Sequence, residues 1–316
     1  MKLQTQIPLT KQPDNLMGYT SNIVLLGSCF VENIGEKLNY FKFQNFQNPF
    51  GVLFHPQAIE TLVFKAVKGE VYSESDVFFH NEQWHCFDAH SKLSNVSKES
   101  LLEHLNINLK TTNNALKNAS HIVVTLGTAW IYRLKKSGKP VANCHKMPQT
   151  EFDKTLLSVL DIEQSLQNLI GNIKAINPKA IVIFTVSPIR HIKDGFVENS
   201  QSKAHLITAV HRVLNSEKNT FYFPSYEIMM DELRDYRFYA EDMLHPNATA
   251  IQYIWEAFKT VWVSLTAFKI MDEVDVVQKG LRHKAFNPGS ALHLKFLQNL
   301  DKKKEILRLQ FPHIEF

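Results

Sequence analysis

Cysteine is scarce: three residues in 316, Cys29, Cys86 and Cys144, an odd number that supports no disulfide framework. No two of them form a Cys-x-x-Cys pair, which removes the usual zinc spacing and leaves reduced thiols as the expectation. Charge of one sign is also missing. Lys and Arg total 35 against 31 Asp and Glu, with no basic run able to neutralise several phosphates, so the sequence predicts no nucleic-acid partner. Long apolar runs are absent too. The first twenty residues lack the continuous apolar core of a signal peptide, and no stretch reaches the roughly 18 apolar residues that span a bilayer. The expectation is a soluble, cytoplasmic protein with no membrane partner. Internal repeats and low-complexity segments are likewise missing.

Hydrophobic residues make up 44% of the chain, enough for a full core. Four short apolar runs rich in β-branched or aromatic residues read as buried strands: 22–27, 121–127, 180–186 and 220–224. Helical spacing follows the first (Val31, Ile34, Leu38, Phe41) and precedes the third (Val159, Ile162, Leu166, Leu169, Ile173, Ile176). This alternation predicts a three-layer α/β/α fold with a mostly parallel central sheet, plus C-terminal helices. Residues 45–100 read as loops, "NPFGVLFHP" and "WHCFDAHSKLS", around one helix, "QAIETLVFKAVKG"; such stretches sit above strand ends, where sites are built. The expected division is an N-terminal extension (1–20), the α/β domain (21–265) and a C-terminal helical appendage (266–316), which offers packing or a homo-oligomer contact.

The stretch "IVLLGSCFVENIGEKL" carries the chemistry. A strand ending in Gly27 and turning directly into a helix leaves Ser28 and Cys29 at the helix N-terminus, where unpaired N–H groups and the dipole favour negative charge. There a cysteine is expected to ionise more readily, and a serine to gain a stabilised oxyanion after attack. Against this, Ser28 also suits an N-cap and Cys29 a small buried residue. Late in the chain, "EDMLHPN" sets Asp242 three residues before His245, which Pro246 biases towards extended backbone. A carboxylate beside an imidazole fixes its tautomer and stabilises the imidazolium, which completes nucleophile, base and orienter.

Strand, Gly-x-nucleophile and helix near one end with Asp-x-x-His near the other resemble the SGNH/GDSL hydrolase superfamily, of flavodoxin-like fold. The sequence is more closely similar to the GSCFA family, whose motif stands here as "GSCFV". Further matches are "NPFG", "DAHS", "LGTAW", "NCHKMP", "SPIRH", "NSQSKAHL" and "EDMLHPN", over about residues 20 to 260. The resemblance implies an acyl-ester hydrolase or acyltransferase working through a covalent acyl-enzyme on a small-molecule or carbohydrate ester. It puts the nucleophile on Cys29, with Ser28 second, and the oxyanion glycine on Gly51. The superfamily's oxyanion asparagine falls on Ala129, so Thr128 or the backbone N–H groups of Cys29 and Gly51 would have to replace it. The alternative is a carbohydrate or acyl-ligand binding module without catalysis on the same fold. A third reading is a thiol sensor pairing Cys29 with Cys86 or Cys144.

Two further clusters offer substrate contacts: Asp88 with His90, and Asn143 with His145. Arg190, beside His191 at a strand end, offers an anion or carbonyl contact. The spacing of Cys86, His85, Cys144 and His145 matches no zinc pattern, so the sequence calls for no metal and no cofactor.

Overall fold

The structure, a computed structural model, describes residues 5–316. The chain runs β1 (Ile23–Gly27), α1 (Cys29–Tyr40), β2 (Asn45–Gln47), α2 (Pro56–Lys68), β3 (Val77–His80), β4 (Gln83–Cys86) and α3 (Lys98–Asn118). It continues through β5 (His121–Leu126), β6 (Trp130–Leu134), β7 (Pro140–Val141), β8 (Phe152–Leu156), α4 (Val159–Ile176), β9 (Ile181–Val186), α5 (Phe196–Leu214) and β10 (Thr220–Tyr222). The single turn α6 (Ser225–Glu227) leads to α7 (Ala248–Trp262), α8 (Leu265–Arg282) and α9 (Ala291–Gln310).

Strands β1, β5 and β9 are buried at every residue, as continuous apolar runs in a sheet covered on both faces must be. They form the centre of a five-stranded parallel sheet in the order β10-β9-β5-β1-β2. Alternation sorts the side chains into two cores. Val24, Leu26, Val124, Val182 and Phe184 pack under α2, α3, α4 and α5. Ile23, Leu25, Val123, Ile181 and Ile183 meet α1, α7 and α8 on the other face, where Leu300 and Leu307 of α9 join them. The expected three-layer α/β/α architecture with C-terminal helices is therefore the observed one.

Parallel register aligns Gly27 with Thr125 and Thr125 with Thr185, so three strands end at one edge. Chain that leaves this edge departs from the sequence reading. Residues 83–86, read as loop, form β4 and pair antiparallel with β3. After Thr128 the chain folds into a small antiparallel sheet, β7-β6-β8. These strands are short and half exposed, so they carry little apolar signal.

Candidate active site at the carboxyl edge of the sheet

The β1–α1 turn is forced by Gly27. Its φ is +130°, and a Cβ there would sit 2.1 Å from the Thr125 carbonyl oxygen, so only glycine lets β1 lie against β5 at this point. Gly27 N–H donates to Asn48 Oδ1 at 2.9 Å, while Asn48 Nδ2 is buried with no partner. Ser28 takes the N-cap position of α1, yet its hydroxyl caps nothing. It is fully buried, and its Oγ has no hydrogen-bond partner. Cys29 opens the helix and remains partly exposed, so of the two it is the one a substrate can reach. Its thiol does not follow the expectation drawn from the helix terminus. Burial pushes it above the ordinary thiol range and Glu32 adds to this, outweighing the N–H groups of Cys29 and Phe30 and the Lys203 ammonium, which act the other way.

The opposite wall comes from α5, which turns a polar stripe, Asn199, Ser202 and Lys203, towards the strand ends; all three side chains are buried. Ser202 Oγ accepts from Ala129 N–H at 2.7 Å and lies 3.1 Å from Thr128 Oγ1, which also accepts from Trp130 N–H. Lys203 Nζ donates to the carbonyls of Gly127, at 2.7 Å, and Ser187, at 2.8 Å. Burial brings this amine down to about 7. Asn199 Oδ1 accepts the His191 N–H, and the His191 ring reaches back to the turn: a Cβ on Gly127 would lie 3.2 Å from Ser28 Cβ and 3.3 Å from His191 Nε2. Burial, then the charges of Lys203 and His245, lower His191 to about 3, so the ring is neutral and its Nε2 is buried without a partner.

Asp242 and His245 stand on the rim of the same edge. His245 Nδ1 lies 2.5 Å from Asp242 Oδ2, which assigns the proton to Nδ1 and leaves Nε2 as the open nitrogen. The backbone N–H groups of His245 and Leu244, followed by the imidazole, hold the Asp242 carboxyl down at about 2. About half of each side chain is exposed. Among the described residues no hydrogen bond joins this imidazole to Ser28 or Cys29; it lies near enough to His191 for a proton on it to disfavour one on that ring. Beside the pair opens a cavity of about 600 Å³ lined by Arg190, Phe196, Met229, Arg234, Tyr236 and Asp242 among others.

The other sequence candidates sit elsewhere or are already engaged. Gly51 N–H donates to Asn48 O at 2.8 Å, and a Cβ on Gly51 would lie 2.5 Å from His90 Cβ; this amide closes a turn instead of facing Cys29. Thr128 Oγ1 is engaged by Ser202 and Trp130, and its N–H by Phe54 O at 3.0 Å. Asp88 pairs with Lys65 at 2.8 Å and accepts from Tyr72 Oη, on the wall of a different cavity. His90 caps the turn after it, accepting from Lys92 N–H. Asn143 accepts from the His145 N–H. His145 is buried against His85, its Nε2 on Cys86 O, and burial lowers it to about 4. Arg190 alone of the proposed substrate contacts lines the cavity beside Asp242. Among the described residues no group of three or more His, Cys, Asp or Glu could hold a metal ion.

Sequence reasoning missed Asn48, Ser202 and Lys203, although each lies in a quoted motif, and weighed His191 only beside Arg190 as an anion or carbonyl contact. A signal existed for Lys203. It continues the line of Leu206, Val210 and Val213, so a lysine stands where α5 should be apolar.

A family model described as "GSCFA family" matches residues 22–258, and one described as "GSCFA domain protein, C-terminal domain" matches residues 274–316. Among solved structures, a Clostridium thermocellum family 3 carbohydrate esterase is similar at 13% identity and a TM-score of 0.34, over 80% of this chain and 97% of that one. An acetyl xylan esterase (Est2A) from the rumen bacterium Butyrivibrio proteoclasticus is similar at 10% identity and a TM-score of 0.31, over 84% of this chain and 66% of that one. No curated protein matches. With three quarters of its length matched, the chain belongs to the GSCFA family.

Proposed function

We propose that this protein is an acyl-ester hydrolase or acyltransferase that works on a small-molecule or carbohydrate ester through an acyl-enzyme on Cys29. The observation that carries the reading is the Asp242–His245 pair with its open Nε2, on the same sheet edge as a partly exposed cysteine at a helix start. In the proposed reaction Cys29 Sγ attacks the ester carbonyl and its proton passes to His245 Nε2, while Asp242 holds the ring and balances the imidazolium. Because burial keeps the thiol protonated, the sulfur depends on this base. The N–H groups of Cys29 and Phe30, which have no intrahelical acceptor, and the unpartnered Asn48 Nδ2 beside the turn are the donors this reading assigns to the developing oxyanion. Collapse expels the alcohol, which takes the proton from His245. Water or a second hydroxyl then attacks the thioester with the same imidazole as base.

Hydrolysis of para-nitrophenyl acetate by wild type, Cys29→Ala and His245→Ala tests this reading. Loss of turnover in both variants, with melting temperatures within a degree or two of wild type, is the expected result. Turnover that survives Cys29→Ala contradicts it. The raised Cys29 thiol and the missing bond between His245 and Cys29 favour a second reading, a ligand-binding module without catalysis. That reading predicts no turnover in wild type and ligand binding that survives His245→Ala.

A further inference from the structure

The cavity beside Asp242 and His245 is lined by two arginines, Arg190 and Arg234, that form no ion pair with a carboxylate among the described residues. Arg190 Nη2 has a thioether for a neighbour, Met230 Sδ at 3.1 Å, which is a weak acceptor for so strong a donor. Among the described residues Arg234 has no ion-pair partner, although it lines the same space. The two carboxylates on that wall are occupied elsewhere: Asp235 accepts from Arg237 N–H and lies 3.5 Å from its guanidinium, and Asp242 holds His245. Around these charges the rim is apolar and open. Phe196 is 65% exposed, Tyr236 76% and Met243 50%, large side chains that a protein leaves in water at a concave surface mainly where something covers them. The Tyr236 and Tyr239 rings stand 6.3 Å apart at this rim.

We propose that the ester handled at this site is an acid: a substrate carrying a carboxylate or phosphate that Arg190 and Arg234 hold in the cavity, with its ring or chain against Tyr236, Phe196 and Met243. This rests on the reading of the site as an acyl-ester enzyme. A planar guanidinium matches the oxygens of either acid with paired, charge-assisted hydrogen bonds. A neutral ligand filling the same cavity would strip water from both guanidiniums and return nothing to them, which disfavours it. The contact also orients the ester, because Asp242, Met243 and Leu244, which lead directly into His245, line the cavity wall.

Two probes that differ in charge and little else, para-acetoxybenzoate and para-acetoxybenzamide, test the inference. Wild type is expected to prefer the anion in kcat/KM by roughly tenfold or more, which is about the worth of one charge-assisted contact. In Arg234→Ala, at an exposed position where folding is not at stake, and in Arg190→Gln the ratio is expected to fall towards one, mainly through KM. A wild-type ratio near one overturns the inference and leaves the esterase reading standing. Should neither probe turn over, equilibrium binding of para-hydroxybenzoate and para-hydroxybenzamide decides. Tighter binding of the anion that Arg234→Ala abolishes supports the acid site while the esterase reading fails; equal binding overturns the acid site. Competition by acetate or by inorganic phosphate identifies the acid group, and competition by neither counts against the proposal.

Discussion

Lys203 Nζ lies 2.7 Å from the carbonyl oxygen of Gly127, and this bond ties the interior of α5 to the floor of the candidate active site. The amine is fully buried and faces two carbonyls but no carboxylate. Burial lowers it from an ordinary 10.5 to about 7, with Arg190 adding and Cys29 opposing. The folded chain therefore releases this proton near pH 7, whereas the unfolded chain keeps it until near 10.5. Between these values the unfolded state binds more protons, so stability gains with rising pH. The unfolding free energy of wild type minus that of Lys203→Met is expected to climb between about pH 6.5 and 9. A flat difference in denaturant titrations across that range would show that the amine is not buried as described.

Two buried histidines, His55 and His145, and the partly buried His191 predict sensitivity to acid. Burial lowers His55 and His145 from 6.5 to about 4 and His191 to about 3. As pH falls below 6.5 the unfolded chain takes up protons that the folded one refuses, so stability drops progressively towards pH 4. Replacing His55 with Gln is expected to flatten the slope of unfolding free energy against pH in that window. An unchanged slope would exclude His55 as a contributor.

Ser28→Ala is expected to leave the melting temperature unchanged or raise it, because the hydroxyl it removes is buried without a partner. Ester turnover is expected to persist in this variant. Its loss in a folded Ser28→Ala protein would move the nucleophile from residue 29 to residue 28.

Gly27→Ala is expected to unfold the protein or cost it more than about 3 kcal/mol, since the added carbon meets the backbone of β5 and φ stays positive. Circular dichroism and thermal melts read this directly. Gly69→Ala also has a positive φ but open space around the Cβ, and it is expected to cost only about 1 kcal/mol.

The sheet was legible in the sequence where physics left a strong mark. Strands β1, β5 and β9 are buried on both faces, so they read as unbroken apolar runs, and their alternation with helices set the layers. Strands β3, β4, β6 and β8 were not legible, because half-exposed hairpins mix Trp84, His85 and Lys154 with apolar residues at no clean period. At the site, the Asp242–His245 contact followed from spacing and from Pro246. The thiol of Cys29 was misjudged, since a helix terminus is visible in sequence whereas the burial that outweighs it is created by distant chain. Gly51 and Thr128 were assigned by resemblance, and only the structure shows that the Gly51 N–H goes to the Asn48 carbonyl and the Thr128 N–H to the Phe54 carbonyl, while the Thr128 hydroxyl lies against Ser202 Oγ.

Whether Cys29 carries the acyl group is read by acid-quenching the protein during turnover of para-nitrophenyl acetate and locating the acetyl group by peptide mass. A thioester on Cys29 is expected to accumulate in wild type and to be missing from Cys29→Ser and His245→Ala. An acetyl group on Ser28, or turnover with no adduct at either residue, would contradict it.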